Sequence, residues 1–551
     1  MKSKIKLKKM TDRKTFIKNS LYATLGTSAI YGSIRNESLE FFDQKDMVNV
    51  KAFGAKGDGF TDDREAIQQA MDSLKDRGGS LYIPPGIYRL SMDPKTQAGI
   101  RFYSNTSILG AGRGNTILRW LDDVPTTENH YLMAGDGGFV ENVTITGFEV
   151  DGNKTARGDT LWHSGGEGIE IDGSNIIIYD MYIHDVLGEG IDCDKTESML
   201  ISNVIIENTG GNGLHCSDPA VQNVLISNTI TRNCAHGRQT MGNLRYGGLV
   251  LRGSGIYVNN HRSVDDAQVA NLEGQGLGED NEIHLTQVTG ISSRSTAEGF
   301  RIGMEGKVSL TCCRIELPKS ERRGFYTDNF SGELSLKECY SLNGSGYPFH
   351  LKMKGLLRLN GCTSKVRDET SNTDGFYIDV DGRVCIRDCE ASSRQENHTG
   401  FAVINASGGL SMNGCRAVNE RNRDGHCLHV SRFESSRINL APLISINGGS
   451  FKKFGSGGSA VRIEAAPESV IQIRNLEQCD GGHESLVVGL DESHLQQELM
   501  IIGNRMSDNQ ICLKVFRSVT KGLITANYAK GDIKLHSSQL KVIGNRIGKE
   551  K

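Results

Sequence analysis

An all-β solenoid, closed at its N-terminal end by one helix, is the fold that this 551-residue sequence predicts, and three observations predict it. The first is a repeat. A Gly turn followed by a strand with alternating apolar positions recurs as EGIEID (167–172), EGIDCD (189–194), NGLHCS (212–217), GGLVLR (247–252), EGFRIG (298–303), RGFYTD (323–328), DGFYID (374–379) and TGFAVI (399–404). A period of about 22–30 residues is the signature of stacked units, and the alternation puts one face of each strand in a core. The second is cysteine placement: Cys313, Cys339, Cys362, Cys389 and Cys415 follow one another at intervals of 26, 23, 27 and 26 residues, each in the same slot of its repeat. The third is that helical periodicity is confined to one short segment near residue 65, where a solenoid needs its open end shielded.

Composition agrees. Sixty-six glycines against nine prolines, with 6% aromatic residues, fit many tight turns between short strands. The formal net charge of −3 gives no global pull toward nucleic acid or membrane.

Taken in order, residues 1–33 read as an export signal. Lys2, Lys4, Lys6, Lys8 and Lys9 form a basic region, and a mild apolar run from Leu21 to Tyr31 is too short and polar to span a bilayer. The intervening Asp12-Arg13-Lys14-Thr15-Phe16-Ile17-Lys18 resembles a twin-arginine export motif with Lys14 in place of the second Arg. The expected location is therefore periplasmic or secreted. Residues 34–46 are a linker, and 47–92 are the cap and first coil. There Thr61-Asp62-Asp63 supplies an N-cap, Asp62 and Glu65 have capping-box spacing, and Ala66, Ile67, Ala70, Met71 and Leu74 form one apolar stripe. Gly78-Gly79 stops the helix, and Pro84-Pro85-Gly86 ends the next strand.

The segment Val48 to Leu90 resembles the N-terminal cap of the pectate lyase-like, right-handed parallel β-helix superfamily (FGAxGDGxTDDxxAIQxA, then GGxxxxPxGxY). The resemblance implies a single-stranded right-handed parallel β-helix over 93–551 with no further helix. It leaves the reaction open, because lyases, hydrolases, epimerases and phage tailspikes share this cap.

Cysteines in the same slot of successive coils are expected to stack as buried thiols, and Cys193 and Cys216 read as another such step. The repeated Asn504, Asn527 and Asn545 predict an internal amide ladder. Two segments, 151–166 and 233–247, are too long for simple turns, and long loops on one face of a solenoid are where ligands sit.

Those loops flank the most polar coils. Aligning the Gly-turn strands puts Glu170, Asp192 and His215 in one outward column, and Asp172, Asp194, Ser217 and Arg252 in the next. Any one of these carboxylates alone reads as a solvated surface charge. Together they form a contrast: nine carboxylates and one Lys from Glu167 to Glu197, then five Arg, two His and no carboxylate from Thr231 to Val264. Clustered carboxylates raise one another's pKa, so one can stay protonated as acid while another stays ionised. Arg238, Arg245, Arg252 and Arg301 would hold carboxylate or sulfate groups of a sugar. Trp162 beside His163 on the first loop is equally readable as a sugar platform or as a ring packed on the rod. The C-terminal half from about 305 reads as scaffold, with Tyr326/Asp328 and Tyr377/Asp379 as solvent-facing rung residues.

The order acid, Asp-x-Asp, His, Arg resembles the polygalacturonase family of glycoside hydrolases. That resemblance implies that Asp192 and Asp194 match the catalytic Asp pair, Glu170 or Asp172 the upstream acid, His215 the histidine and Arg252 the arginine. This sequence differs in splitting the pair with Cys193, in having Gly-Leu-His, and in lacking Arg-Ile-Lys. The leading expectation is an exported hydrolase of an anionic polysaccharide without a cofactor. Asp192 and Asp194 would be acid and base, Glu170 support, His215 orientation, and Arg252, Arg245, Arg238, Trp162 and His163 substrate-holding. A lyase would instead use Glu170, Asp192 and Asp194 as Ca²⁺ ligands for β-elimination. An epimerase and a non-catalytic glycan-binding rod stand behind these two.

Overall fold

The computed structural model describes residues 47–126, 129–158, 166–235, 247–274, 281–367, 373–393, 399–420, 425–431, 442–454, 457–481, 483–491, 496–506, 511–537 and 539–547. The export signal and linker lie outside the described residues.

Every inter-strand ladder between coils is parallel, and each strand pairs with its counterpart one coil earlier and one coil later. This is the right-handed parallel β-helix that the sequence predicts. One coil illustrates the build. Glu167–Glu170 lies on the first face, and Gly173–His184 bends at Asp180 to supply the second and third. A turn from Asp185 to Gly190 then returns the chain to Ile191–Asp192 on the first face.

Left-handed backbone makes the corners. Asp180, Asn203, Asn228 and Asn260 occupy one corner in successive coils at φ of 54°, 53°, 51° and 51°. Asn and Asp tolerate that region because their short side chains bond locally. Here those side chains also bond between coils: Asn203 Nδ2 donates to Asp180 Oδ1 at 3.0 Å, and Asn260 Nδ2 to Asn228 Oδ1 at 2.8 Å.

Stacked identical residues fill the core. Phe300, Phe325, Phe349, Phe376 and Phe401 are all fully buried, their rings stacked at 5.0, 5.0, 4.5 and 4.8 Å. Cys313, Cys339, Cys362, Cys389 and Cys415 form the predicted ladder of buried free thiols, with Cys339 and Cys362 donating to the Leu310 and Leu336 carbonyls. Asn504 and Asn527 are buried and linked to Asn545 through side-chain bonds of 3.0 and 2.9 Å, the predicted amide ladder.

The capping helix α1 (Arg64–Asp72) buries Ile67, Ala70 and Met71, with Leu74 just beyond it, along the predicted stripe. Its start differs from a capping box. Asp63 holds the N-cap position, but its buried carboxylate turns back to accept the Lys56 and Gly57 amides at 2.5 and 2.8 Å. Asp62 accepts from Arg64 N at 3.1 Å instead. The helix-free expectation is also corrected by one short helical turn, Lys154–Arg157, in the first long loop. Among the described residues no helix is long and apolar enough to cross a membrane.

Tyr326 departs from its expected exposure. It is buried, with its hydroxyl donating to Glu298 and accepting from Gln268 Nε2. Tyr377 is half-buried.

Candidate functional site

On the first face the pleat sends Ile169, Ile171, Ile191, Cys193, Leu214 and Cys216 into the core, all essentially inaccessible. Their neighbours Glu170, Asp172, Asp192, Asp194, His215 and Ser217 therefore face out. Register completes the column: Glu170 pairs with Asp192, Asp192 with His215, and Ser217 with Arg252. The turn glycines permit this stacking. A Cβ on Gly190 would meet the Gly213 carbonyl oxygen at 2.6 Å and Ile206 Cγ2 at 2.4 Å, so only Gly lets consecutive coils close at this corner.

Cys193 and Cys216 correct the thiol-ladder expectation at this step. They occupy the same slot on adjacent coils, with Cα atoms 4.9 Å apart, but their sulfurs are bonded. The bond ties together the two strands that carry Asp192, Asp194 and His215.

Burial and mutual repulsion then set protonation. Burial, followed by the charges of Asp192, Glu167, Asp172 and Asp194, pushes Glu170 up to about 9, so its carboxyl is neutral at neutral pH. Burial and the charge of Asp192 also raise Asp194, whose Oδ1 is buried without a hydrogen-bond partner among the described residues. His215 is pulled down by burial, but its bond to Asp192 and the charges of Asp192, Glu189 and Asp194 outweigh that and hold it at about 9. Its Nδ1 lies 2.9 Å from Asp192 Oδ1 and 3.7 Å from Asp194 Oδ1. Asp172 serves the backbone. Its Oδ1 accepts the Asp194 and Lys195 amides at 3.0 and 2.8 Å, which fixes the turn beside the column.

Three further groups belong to the site although no sequence pattern singles them out as chemical. Glu167 and Glu189, buried just before the turn glycines, accept from Gly166 N (3.0 Å) and Asn212 Nδ2 (3.3 Å). Burial and the charge of Glu189 push Glu167 up. Their available signal is the repeated Glu-Gly pair, which sets the alignment of the coils but gives no hint of burial. Tyr131, in register with Glu167, is raised to about 12 by burial and by Glu167, Glu170 and Asp192; no motif marks it.

Of the predicted substrate-holding residues, Arg252 sits between Ser217 and Glu273 in register, with Nε unpartnered among the described residues. Arg301 is taken by the protein itself, bonding Asp328 at 2.6 Å and Asn271 at 3.0 Å. Trp162, His163, Arg238 and Arg245 lie outside the described residues.

The acidic trio expected of a Ca²⁺ site is not the set that converges. Asp192, Asp194 and His215 bring ligand atoms within 4.8 Å of one another, and so do Glu167, Glu189 and Asp192. Calcium takes six to eight hard oxygens, and the first set offers two carboxylates and an imidazole nitrogen. A third cluster, Glu149, Asp151 and His184, lies on the third face and is internally satisfied: His184 bonds Glu149 at 3.0 Å and Asp185 at 2.7 Å, and Arg119 bonds Asp151 at 2.6 Å.

A neutral carboxyl beside an ion-paired carboxylate, on an outward strand face, is the arrangement of general acid with base or nucleophile.

Residues 47–263 match the family model described as rhamnogalacturonase A/epimerase, pectate lyase-like. The preneck appendage protein of Bacillus phage PZA is 27% identical over 282 residues, 42% of this chain and 31% of the phage protein. Alginate lyase 7 of Azotobacter vinelandii is 39% identical over 108 residues, 19% of this chain and 13% of the lyase. Mannuronan C5-epimerase AlgE6 of the same organism is 29% identical over 195 residues, 34% of this chain and 22% of the epimerase. The chain thus spans less than a third of the length of each of these relatives.

Proposed function

Residues 47–263 belong to the pectate lyase-like, right-handed β-helix superfamily, and from that premise we propose that the protein is a glycoside hydrolase acting on an anionic polysaccharide. One observation carries the reading: Glu170, held protonated, lies one strand spacing from Asp192, which is locked in an ion pair with His215. Glu170 protonates the departing glycosidic oxygen, a role that passes to it from the Asp192/Asp194 pair expected from sequence. Asp192, oriented by His215, acts on the anomeric carbon or on water. One strand spacing, about 5 Å, is near the carboxyl separation of retaining enzymes. Arg252, in register with Ser217 on the same face, pairs the sugar's carboxylate or sulfate through its terminal guanidinium nitrogens.

The test is product analysis over a panel of acidic and neutral glycans, with and without EDTA. New reducing ends, a mass gain of water and insensitivity to chelator are expected. Their absence from every glycan, with the fold intact, ends the hydrolase reading.

The relatives named alginate lyase and mannuronan C5-epimerase favour a second reading, proton abstraction next to a uronate carboxylate. Neutral Glu170 and Arg252 would then stabilise the charge that develops on that carboxylate. An ultraviolet-absorbing unsaturated product, or changed uronate composition at constant chain length, identifies these outcomes. A chain bound but left unchanged identifies a glycan-binding rod. We also propose a periplasmic or secreted location, supported by the basic and mildly apolar residues 1–33; cell fractionation with and without that segment tests it.

A further inference from the structure

We propose that the coils around residues 323–381 carry a second saccharide subsite, which takes one pyranose unit of the chain that the acidic column processes. The identity of that chain rests on the function proposed above; the existence of the subsite does not.

The column that contains Glu170, Asp192 and His215 continues in register through Val250, Asn271, Arg301, Tyr326, His350 and Tyr377 without skipping a coil, with Val250, Asn271 and Tyr326 buried along it. His350 therefore stands five coils from His215, roughly 24 Å along the same face. A cavity of about 530 Å³ opens there, lined by Arg323, His350, Lys352, Lys354, Asp379 and Asp381 among others.

Two features separate this cavity from an ordinary solvated charge patch. His350 Nδ1 is buried and has no hydrogen-bond partner among the described residues, which leaves the other ring nitrogen as the one that can meet a ligand in the cavity. Burial, with Arg323 and Lys352 nearby, pulls the ring down to about 4, so it is neutral and its nitrogens include an acceptor. His350 stacks on Tyr377 at 4.7 Å, and Tyr347 packs edge-on against both at 5.2 and 6.0 Å, so the ring that lines the cavity is held in a fixed orientation from behind.

The lining alternates in register. Lys352 lies opposite Asp379, which it pairs at 3.6 Å, and Lys354 opposite Asp381, which accepts from Ser407 Oγ at 2.9 Å, so donors and acceptors sit one strand spacing apart. A simple ion wants one sign of charge. Vicinal sugar hydroxyls donate and accept together, and suit this alternation.

The experiment measures affinity for size-graded oligogalacturonides and oligomannuronates, using the protein with Asp192→Asn so that no probe is consumed. Chains long enough to reach both sites are expected to bind about tenfold tighter than short ones. Lys354→Ala and Asp381→Ala, both at exposed positions, and His350→Phe should each abolish that length-dependent gain while leaving short-chain affinity unchanged. A gain that survives all three variants, or no gain for any probe, overturns the subsite. If the unsubstituted protein turns over no glycan yet the gain exists and is lost in the variants, the subsite stands and the hydrolase reading falls. Matching thermal melts of the three variants separate loss of binding from loss of fold.

Discussion

Glu170 and His215 show how one environment shifts an acid and a base in the same direction. Burial raises the carboxyl and by itself would lower the imidazole, but the surrounding carboxylates reverse the second effect. An acid catalyst must hold its proton, so activity is present below the pKa of Glu170 and should fall as pH rises through about 9, read from kcat/KM against pH. Glu170→Gln and Asp192→Asn should each lower kcat by roughly 10²–10⁴-fold with the melting temperature retained. Asp192→Asn also removes the charge that holds up His215, so burial should then dominate and its imidazole pKa should drop, an outcome that NMR titration reads directly. His184 supplies a stability counterpart. Burial lowers it, yet Asp185 and Glu149 bring it to about 9, so its contribution is complete below 6.5 and lost as pH rises through 9. His184→Asn should cost on the order of 2 kcal/mol at pH 6 and much less at pH 10, compared by denaturation at the two values.

At the scale of elements, what repeats in one slot of the coil is legible in the sequence, and what depends on burial outside those slots or on a single bond is not. The α1 stripe, the cysteine ladder and the Asn504–Asn527–Asn545 ladder are periodic, so position in the repeat reports burial. The outward column of Glu170, Asp192 and His215 is readable for the same reason. Cys193 and Cys216 sit in a core slot of the first face that later coils fill with Leu251, Leu272 and Ile302, but their 23-residue interval is that of Cys339 and Cys362, so spacing cannot distinguish their bond. Glu167, Glu189 and Tyr326 are buried although none occupies a core slot of the repeat, which no strand pattern encodes. The start of α1 is ambiguous in sequence because Asp62 and Asp63 are equally good caps by type, and only the pairing of strand Asp58–Asp62 with Gly86–Leu90, which puts Asp62 opposite Arg89, separates them. Asp63 is buried on two amides and Asp62 is exposed. Asp63→Ala should therefore destabilise the cap by about 2 kcal/mol, and Asp62→Ala by less than about 1, measured by urea denaturation.

For the whole molecule, each coil bonds only to the coils before and after it, so stability is a sum of coil and interface terms. The phenylalanine stack makes that statement testable. Phe349 is fully buried between Phe325 at 5.0 Å and Phe376 at 4.5 Å, and truncating it removes ring contacts on both sides at once. Phe349→Ala should cost about 3–5 kcal/mol, and the surrounding coils cannot collapse into the gap because their backbones are fixed by the parallel ladders above and below. The loss should stay local. Amides of the strands Phe325–Thr327, Phe349–Asn360 and Phe376–Arg387 should exchange markedly faster, while α1 and the strands bearing Glu170 and Asp192 keep their protection. Catalysis on short substrates should be retained, because the acidic column lies several coils away and is tied by the Cys193–Cys216 bond. Hydrogen exchange that accelerates uniformly from the cap to the C-terminal coils would mean that the rod opens as one cooperative unit, and the nearest-neighbour account of its stability would be wrong.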